Sequence, residues 1–533
     1  MPNLQVICPY IHEFPLSLIH PRIRRVKCDE EKPLCRRCTS TGRKCDGYAP
    51  ESLVSSPDDS QAIALVQRIS THIPGNAEEK RGFQYFIKKT APELSGYFDS
   101  SFWESLILQA SSSEPSLRHA VTAIGSLHED FNKHLLKYST ENTGFAINQY
   151  TKAIGHLRKS LATGKHGTLT ALMSCILFIC FDSIRGHFTA AMVHLQSGLR
   201  ILRDARARKS IDEHIIEETI APLFMRLSVQ AIIYLDTRNT SERRAFVEEL
   251  MKTSFRSSDV TDTFETIEDA RNGINDAMEG LFRMFYFCDG DLPFCFQPSE
   301  AFELYDKYST KLKEWNTSFD KFMTAKSHTF NSRQIRGAAL LKIQHTAAKI
   351  IAETSKPDIS ETIPIDAVYG RRNYEPFKND FKSIVNLSRS LITASEVDAK
   401  NGNPSLTFST DLGVLGPLYI VCVHSEELRF QAMDLLRRCP RREGMWDGEI
   451  MSRMIAEYWE IEERLNLQQR ENGGTPVPLD EVIDLEFSDG MKWEWRLKEP
   501  ASTRRSLSPP VVRAVALIER SLFEKSTERN RFL

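Results

Sequence analysis

Four cysteines fall within the eighteen positions from Cys28 to Cys45, spaced by six, two and six residues, in a run dense with arginine and lysine. A zinc ion takes four soft ligands in a tetrahedron, and a Cys-x2-Cys turn such as Cys35 to Cys38 brings two sulfurs onto one metal. Cys28 and Cys45 flank that turn at equal distance, close enough to complete the shell. Residues 22–48 carry nine Lys or Arg against four Asp or Glu, a local charge of +5 in a chain whose net charge is −2. Such cations stabilise thiolates and, arrayed on a surface, neutralise phosphates. The segment reads as a metal-held module for nucleic acid.

The remaining cysteines, Cys8, Cys175, Cys180, Cys288, Cys295, Cys422 and Cys439, are scattered, mostly through apolar segments. An odd total of eleven without even spacing points to a reducing compartment and core thiols, not to a disulfide framework. The longest apolar stretch, Ala171–Phe181, is shorter than the roughly 18 residues that span a bilayer, so no membrane segment is expected. The first twenty residues lack the pattern of a secretory signal. At 533 residues and 41% hydrophobic content, the chain has ample material for one large core or two to three ordinary ones.

The stretch RIRRVKCDEEKPLCRRCTSTGRKCDGY (22–48) resembles the DNA-binding domain of fungal binuclear zinc cluster transcription factors. In that family six cysteines bind two zinc ions in the pattern C-x2-C-x6-C-x(5–12)-C-x2-C-x(6–8)-C. Lys-Cys-Asp at 27–29, Lys-Pro-x-Cys at 32–35, Gly-x-x-Cys at 42–45 and Tyr48 all match. The resemblance implies Cys28, Cys35, Cys38 and Cys45 as zinc ligands. The family's first cysteine pair would fall at positions 18 and 21, where this chain has Leu18 and Pro21. Since the first and fourth family cysteines bridge the two metals, the two-zinc cluster cannot form as written, and at most one zinc is expected. Cys8, His12 and His20 lie upstream, but their spacing resembles no metal turn. The match runs unbroken from Arg22 and stops abruptly before it. Residues 1–21 are therefore expected to be an intron read as coding sequence or the product of a wrongly chosen start, which sequencing the transcript across the junction decides.

The resemblance also assigns roles to the basic residues. Arg24 and Arg25 take the places that read a CGG-type triplet in the major groove, where arginine meets guanine O6 and N7 bidentately at ~1–3 kcal/mol of discrimination. Arg22 is also expected to contact DNA, and Lys27, Arg36, Arg37, Arg43 and Lys44 are expected on phosphates, which position without specifying. The run RIRRVK also suffices as a nuclear localisation signal.

Residues 49–79 read as a linker, with two prolines and four serines in 49–60. The segment AIALVQRI (62–69) is too short for a dimerising coiled coil. From about residue 80 to 470 the pattern is helical. Tyr150, Ala153, Ile154, Leu157 and Leu161 line one face, and Ala191, His194, Leu195, Gly198, Leu199 and Leu202 another. Ser116 after Pro115 reads as an N-cap and Gly186 as a helix stop. Polar segments at 204–212, 253–265, 354–375 and 397–410 are expected as loops, with 255–265 and 400–408 the most mobile. Within the C-terminal segment 471–533, IDLEFSDGMKWEWRL predicts a β-hairpin with Ser488-Asp489-Gly490 as its loop, pairing Phe487 with Met491, Leu485 with Trp493 and Ile483 with Trp495. The motif RRSLSPP (504–510) has the look of phosphorylation sites in an exposed tail.

Segments 83–129, 175–202 and 413–448 are similar to the all-helical fungal-specific transcription factor domain that accompanies zinc clusters. The expected fold class is therefore all-α: a small zinc-cluster module, incomplete as written, then a flexible linker and a large helical regulatory domain with a C-terminal hairpin. No Gly-x-Ser-x-Gly, phosphate-binding glycine loop, His-Glu-x-x-His or Gly-x-Gly-x-x-Gly occurs, so no enzyme is expected. Cys175, or Cys422 with His424, could be imagined as a nucleophile and base, but residues two apart on a helix point in different directions.

The expected function is a sequence-specific, zinc-dependent regulator of RNA polymerase II genes, nuclear, reading CGG-type half-sites on double-stranded DNA. Homodimerisation and a protein or small-molecule effector at the helical domain are further partners the family admits. The alternative is a regulator with a degenerate zinc cluster that works through protein contacts alone.

Overall fold

Caps and breakers divide the helical pattern into discrete elements in the computed structural model, which describes residues 74–133, 143–163, 167–208, 212–235, 246, 249–250, 252–253, 263–287, 298–354, 374–401, 406–444, 446–471, 483–488 and 492–497. These all belong to the unit Ser70–Leu533. The basic cysteine run, the serine-rich stretch 49–60, the segment 62–69 and the RRSLSPP tail lie outside the described residues.

Asn76 opens the first helix, α1 (Ala77–Tyr85). Its Oδ1 accepts the Glu79 amide at 2.8 Å and Glu79 Oε2 accepts the Asn76 amide at 3.0 Å, a capping box. The chain continues through a π-helical turn, Phe86–Thr90, into Ala91–Ser95. Helices α2 (Ile107–Ser113) and α3 (Pro115–Lys133) follow. Pro115 takes the first position of α3, so Ser116, expected as the N-cap, lies inside the helix with a buried hydroxyl that has no partner. Proline's fixed φ suits that first position, where its missing N–H costs nothing. Helices α1 and α3 cross at Gly82 and Gly125, where a Cβ on Gly125 would collide with the Gly82 carbonyl oxygen. Only glycine allows this approach.

Helices α4 (Thr143–Thr163), α5 (Thr168–Arg185) and α6 (Phe188–Arg208) build the next layer. On α4, Ala153 is buried and Tyr150, Ile154 and Leu157 are half-buried, as the stripe predicts. Leu161 is instead 52% exposed, because the turn from Arg158 to Ala162 has left the core. On α6, Ala191, Leu195, Gly198, Leu199 and Leu202 are buried and His194 half-buried. Gly186 stops α5 as expected. It adopts φ 71° and ψ 21°, its N–H donates to Ser183 O at 3.0 Å and the His187 N–H donates to Asp182 O at 2.9 Å, a Schellman end. Every residue of α5 from Thr170 to Ile184 is buried. The helix is long and apolar enough to span a bilayer by length and composition, yet 83% of it is enclosed by protein. A helix apolar all round and covered on every side is a core helix.

Helices α7 (Ala221–Leu235), α8 (Ile267–Phe287), α9 (Pro298–Lys326), α10 (Ser332–Thr354) and α11 (Lys378–Lys400) continue the domain. Trp315 of α9 is fully buried, stacks on Phe319 at 4.5 Å and on His345 at 5.2 Å, and donates Nε1–H to Ala270 O at 2.7 Å. Three expected loops are partly helical: α6 runs to Arg208, α10 to Thr354 and α11 to Lys400. Their residues are polar but good helix formers, and polarity alone does not end a helix. Elsewhere in the expected loops, Thr253, residues 263–265 and Tyr374 are non-helical, while Glu375 opens a 3-10 turn.

A small sheet then appears that the sequence does not predict. β1 (Phe408–Ser409) pairs parallel with β2 (Arg442–Glu443), which pairs antiparallel with β3 (Trp446–Asp447). Strands of two residues are too short to display a period of two. Between them lie α12 (Leu415–His424) and α13 (Arg429–Arg437), and α14 (Gly448–Glu471) follows. The C-terminal hairpin is present as β4 (Ile483–Ser488) and β5 (Lys492–Leu497), but its register differs from the expected one by two residues. Phe487 pairs with Trp493, Leu485 with Trp495 and Ile483 with Leu497, and Ser488, expected in the loop, pairs with Lys492. A two-residue slip leaves the apolar alternation unchanged, and the pattern cannot tell the two registers apart.

Candidate functional site

The residues predicted to hold zinc (Cys28, Cys35, Cys38, Cys45) and to contact DNA (Arg22, Arg24, Arg25, Lys27, Arg36, Arg37, Arg43, Lys44) lie outside the described residues. Within the helical unit the sequence instead builds a buried polar centre, and the motif CPRREGMWDG (439–448) supplies much of it.

Arg442 is 2% exposed. Its Nε donates to Asp447 Oδ2 at 2.7 Å, Nη1 donates to the Ile184 carbonyl and to that of Ser183 at 3.3 Å, and the guanidinium sits 4.9 Å from the centre of the Phe131 ring. It thus meets the negative end of the α5 dipole. The other oxygen of Asp447 accepts the Glu449 and Ile450 amides at 3.1 and 3.0 Å and caps α14. Glu443 does the same for α12, accepting the Val414 and Leu415 amides at 3.0 and 2.8 Å, with Arg441 3.5 Å away.

Asp411 lies between two arginines. Arg226 Nε donates to Oδ1 at 2.7 Å and Arg271 Nη1 to Oδ2 at 3.2 Å, while Arg271 also lies 4.5 Å above the Phe98 ring. Gln230 Nε2 donates to the neighbouring Thr410 carbonyl. Beside this, Glu93 Oε2 accepts the Thr407 amide and hydroxyl, both at 2.7 Å, and the Phe408 amide at 3.2 Å. Lys89 pairs with its other oxygen at 2.8 Å. The fully buried His128 places Nε2 3.4 Å from Glu93 Oε2 and Nδ1 3.0 Å from Thr90 Oγ1.

Burial would raise the Glu93 pKa, but the hydrogen bond and proximity of His128, with Lys89, outweigh it and hold the carboxyl at about 2. A carboxyl depressed in the folded state stabilises above its unfolded pKa and loses that contribution as pH falls through the folded value. The shift corresponds to about 3 kcal/mol. Chemical denaturation from pH 7 down to pH 2 should show this loss between about pH 5 and 2 in the wild type. Glu93→Gln should be less stable at neutral pH and flatter across that range; equal slopes in the two proteins would contradict the assignment.

These bonds join residues up to 315 positions apart. The charges within the centre are paired, and the space beside Asp411, Arg441 and Glu443 is about 10 Å³, room for a single water at most. The centre is a brace and not a reaction chamber. The cysteines agree with this. Cys175, Cys180, Cys422 and Cys439 are buried, and burial pushes their thiols up, Cys175 and Cys422 to about 12. The Cys422 thiol points to the Arg429 carbonyl at 3.7 Å while His424 stacks on Tyr374 at 4.0 Å, so these two form no nucleophile–base pair. Among the described residues no three His, Cys, Asp or Glu side chains are grouped to hold a metal. The sequence gives no local sign of the brace residues Glu93, Arg226, Arg271 and Asp411; the one local signal is Arg441-Arg442-Glu443 set between apolar helices.

Comparison with known proteins bears on both parts of the chain. A family model described as the fungal Zn(2)-Cys(6) binuclear cluster domain matches residues 20–53, and one described as the fungal specific transcription factor domain matches residues 81–285. The aspercryptin biosynthesis cluster-specific transcription regulator of Emericella nidulans is 24% identical over 83% of this chain and 86% of its own length. A transcription regulator of Purpureocillium lilacinum is 33% identical over 36% of this chain and 50% of its own. An uncharacterised transcriptional regulatory protein of Schizosaccharomyces pombe is 28% identical over 20% of this chain and 22% of its own. No solved structure matches the chain significantly.

Proposed function

We propose, from the premise that this chain belongs to the fungal Zn(2)-Cys(6) transcription regulators, that it reads CGG-type half-sites through residues 22–48 and acts on RNA polymerase II genes in the nucleus. Its class is a zinc-binding, DNA-binding transcription regulator and not an enzyme. One observation carries the finer reading: the matched cluster segment holds adjacent Arg24 and Arg25 at the family's base-reading positions, beside Cys28. Arginine's planar fork suits guanine, and the other cations of the segment suit phosphates.

The donor set limits the metal. Two zincs need six thiolates; Cys28, Cys35, Cys38 and Cys45 supply four, which fit a single tetrahedral Zn²⁺. Bound there, zinc would hold the segment rigid so that its arginines keep one orientation. Leu18 and Pro21 favour a second reading, in which the cluster is degenerate and the protein works through protein contacts.

Metal analysis of the purified full chain and gel shifts on CGG-containing duplex separate the two. The first reading expects one zinc per chain and CGG-dependent, salt-sensitive binding. Arg24→Ala or Arg25→Ala should then cost ~1–3 kcal/mol of sequence discrimination, while Arg43→Ala weakens all duplexes alike. A metal-free chain indifferent to sequence supports the second.

A further inference from the structure

Helices α9 and α10 are joined by the turn Ser327–Thr329, and beside the buried Trp315–His345 stack that links them lies a group of polar side chains from both. Between them opens a cleft of about 330 Å³, lined from α9 by Tyr305, Ser309, Lys313 and Asn316 among others, from α10 by Lys342, His345 and Lys349, and closed on one side by Asp380 of α11. Its size lies at the lower end of small-molecule sites, typically ~300–1,000 Å³.

The cleft's groups are held in place but not used up. Lys342 Nζ donates to Asn316 Oδ1 at 2.6 Å and Asp320 Oδ1 at 3.2 Å, and Lys349 Nζ contacts the Asp380 carboxylate at 3.0 and 3.3 Å. An ammonium has three donors, so each lysine is oriented with capacity left for a ligand. Lys313, exposed at the rim, makes no ion pair among the described residues. His345 is 7% exposed, and its Nε2–H donates to the Leu312 carbonyl at 3.1 Å. That bond fixes the tautomer and leaves Nδ1 as an acceptor with no partner among the described residues. Burial, reinforced by Lys342 and Lys349, pushes His345 down to about 3, so it stays neutral at physiological pH. Its Nδ1 can accept from a ligand or water.

The lining charges, Lys313, Lys342 and Lys349 against Glu353 and Asp380, sum to one positive charge. We propose that this cleft binds a small monocarboxylic acid bearing a hydroxyl or N–H donor, its carboxylate on the lysines and its donor on His345 Nδ1. The two acidic walls disfavour a multiply charged anion. Ligation would add a bridge between α9 and α10 beside the Trp315–His345 stack and the Lys342–Asp320 pair, so occupancy stabilises the helical domain.

Mandelate, a hydroxy monocarboxylate, serves as the probe on the full zinc-loaded chain, with phenylacetate lacking the hydroxyl, mandelamide lacking the charge, and inorganic phosphate as a multiply charged anion. Saturable binding of mandelate in the millimolar range by ligand-observed NMR, with a concentration-dependent rise in melting temperature, is expected. Phenylacetate should bind more weakly, and mandelamide and phosphate should not saturate. Lys313→Ala, at an exposed position, and Lys349→Gln should each weaken mandelate by about tenfold. No saturable mandelate binding, or binding that both variants leave unchanged, overturns the proposal. Far-UV circular dichroism confirms that the variants are folded, and the readout is independent of DNA binding.

Discussion

Arg442→Ala should lower the unfolding free energy by about 3–5 kcal/mol, the range for removing one partner of a buried ion pair. The reason is less the attraction lost than what stays behind. Asp447 keeps capping α14 with Oδ1 but has Oδ2 left buried without its cation, and at the end of α5 the Ile184 carbonyl loses the guanidinium donor while that of Ser183 keeps only the Gly186 N–H. The Phe131 ring loses its cationic neighbour as well. Lysine should not rescue. Its single ammonium is a point charge and cannot donate to Asp447 and to the α5 carbonyls in the planar, forked geometry that arginine offers. Arg442→Lys is therefore expected closer to the alanine variant than to wild type. Urea denaturation followed by circular dichroism measures both. An alanine variant within about 1 kcal/mol of wild type would mean that water or a neighbouring cation replaces the guanidinium.

The position of Arg442 shows which parts of this molecule its sequence discloses. Ala191, Leu195, Leu199 and Leu202 announce α6 because the spacing that buries them is local, and Gly186 marks the end of α5 because only a left-handed residue closes a Schellman turn cheaply. The cysteine run is legible for the same reason: metal-ligand spacing is written within eighteen residues. The brace is not local. Glu93 meets Thr407 across 314 positions and Arg226 meets Asp411 across 185, and no periodicity connects such pairs. Charged residues in a helical pattern read as a solvated face, so Arg226 and Arg271 look like surface residues although both are 8% exposed. The hairpin shows the opposite limit. Its existence follows from alternation, but alternation has a period of two and cannot choose between registers two residues apart. Polarity does not mark a helix end where no breaker stands, as at Arg208 and Lys400.

Asp411 should be as sensitive as Arg442 and for a different reason. Asp411→Ala removes the carboxylate that bonds both Arg226 and Arg271, whose side chains are each 9% exposed, and leaves two buried like charges without it. Burial and Arg226 already pull Arg271 down to about 10, with Asp411 working against them, so the arginine remains charged at neutral pH and cannot escape the repulsion by losing its proton. The expected loss is about 3–5 kcal/mol. Salt should recover little of it, since screening acts weakly on buried pairs. Asp411→Asn keeps a hydrogen-bond acceptor without the charge and should fall between the two. The decisive variant is the double one. If uncompensated charge is the cause, adding Arg271→Met to Asp411→Ala removes one of the two repelling groups and should make the double variant more stable than Asp411→Ala alone, a coupling of about 1–3 kcal/mol. If the losses simply add, Asp411 acts through the shape of the 406–414 segment, whose Ser409 hydroxyl accepts the Asp411 amide at 3.0 Å, and not through its charge.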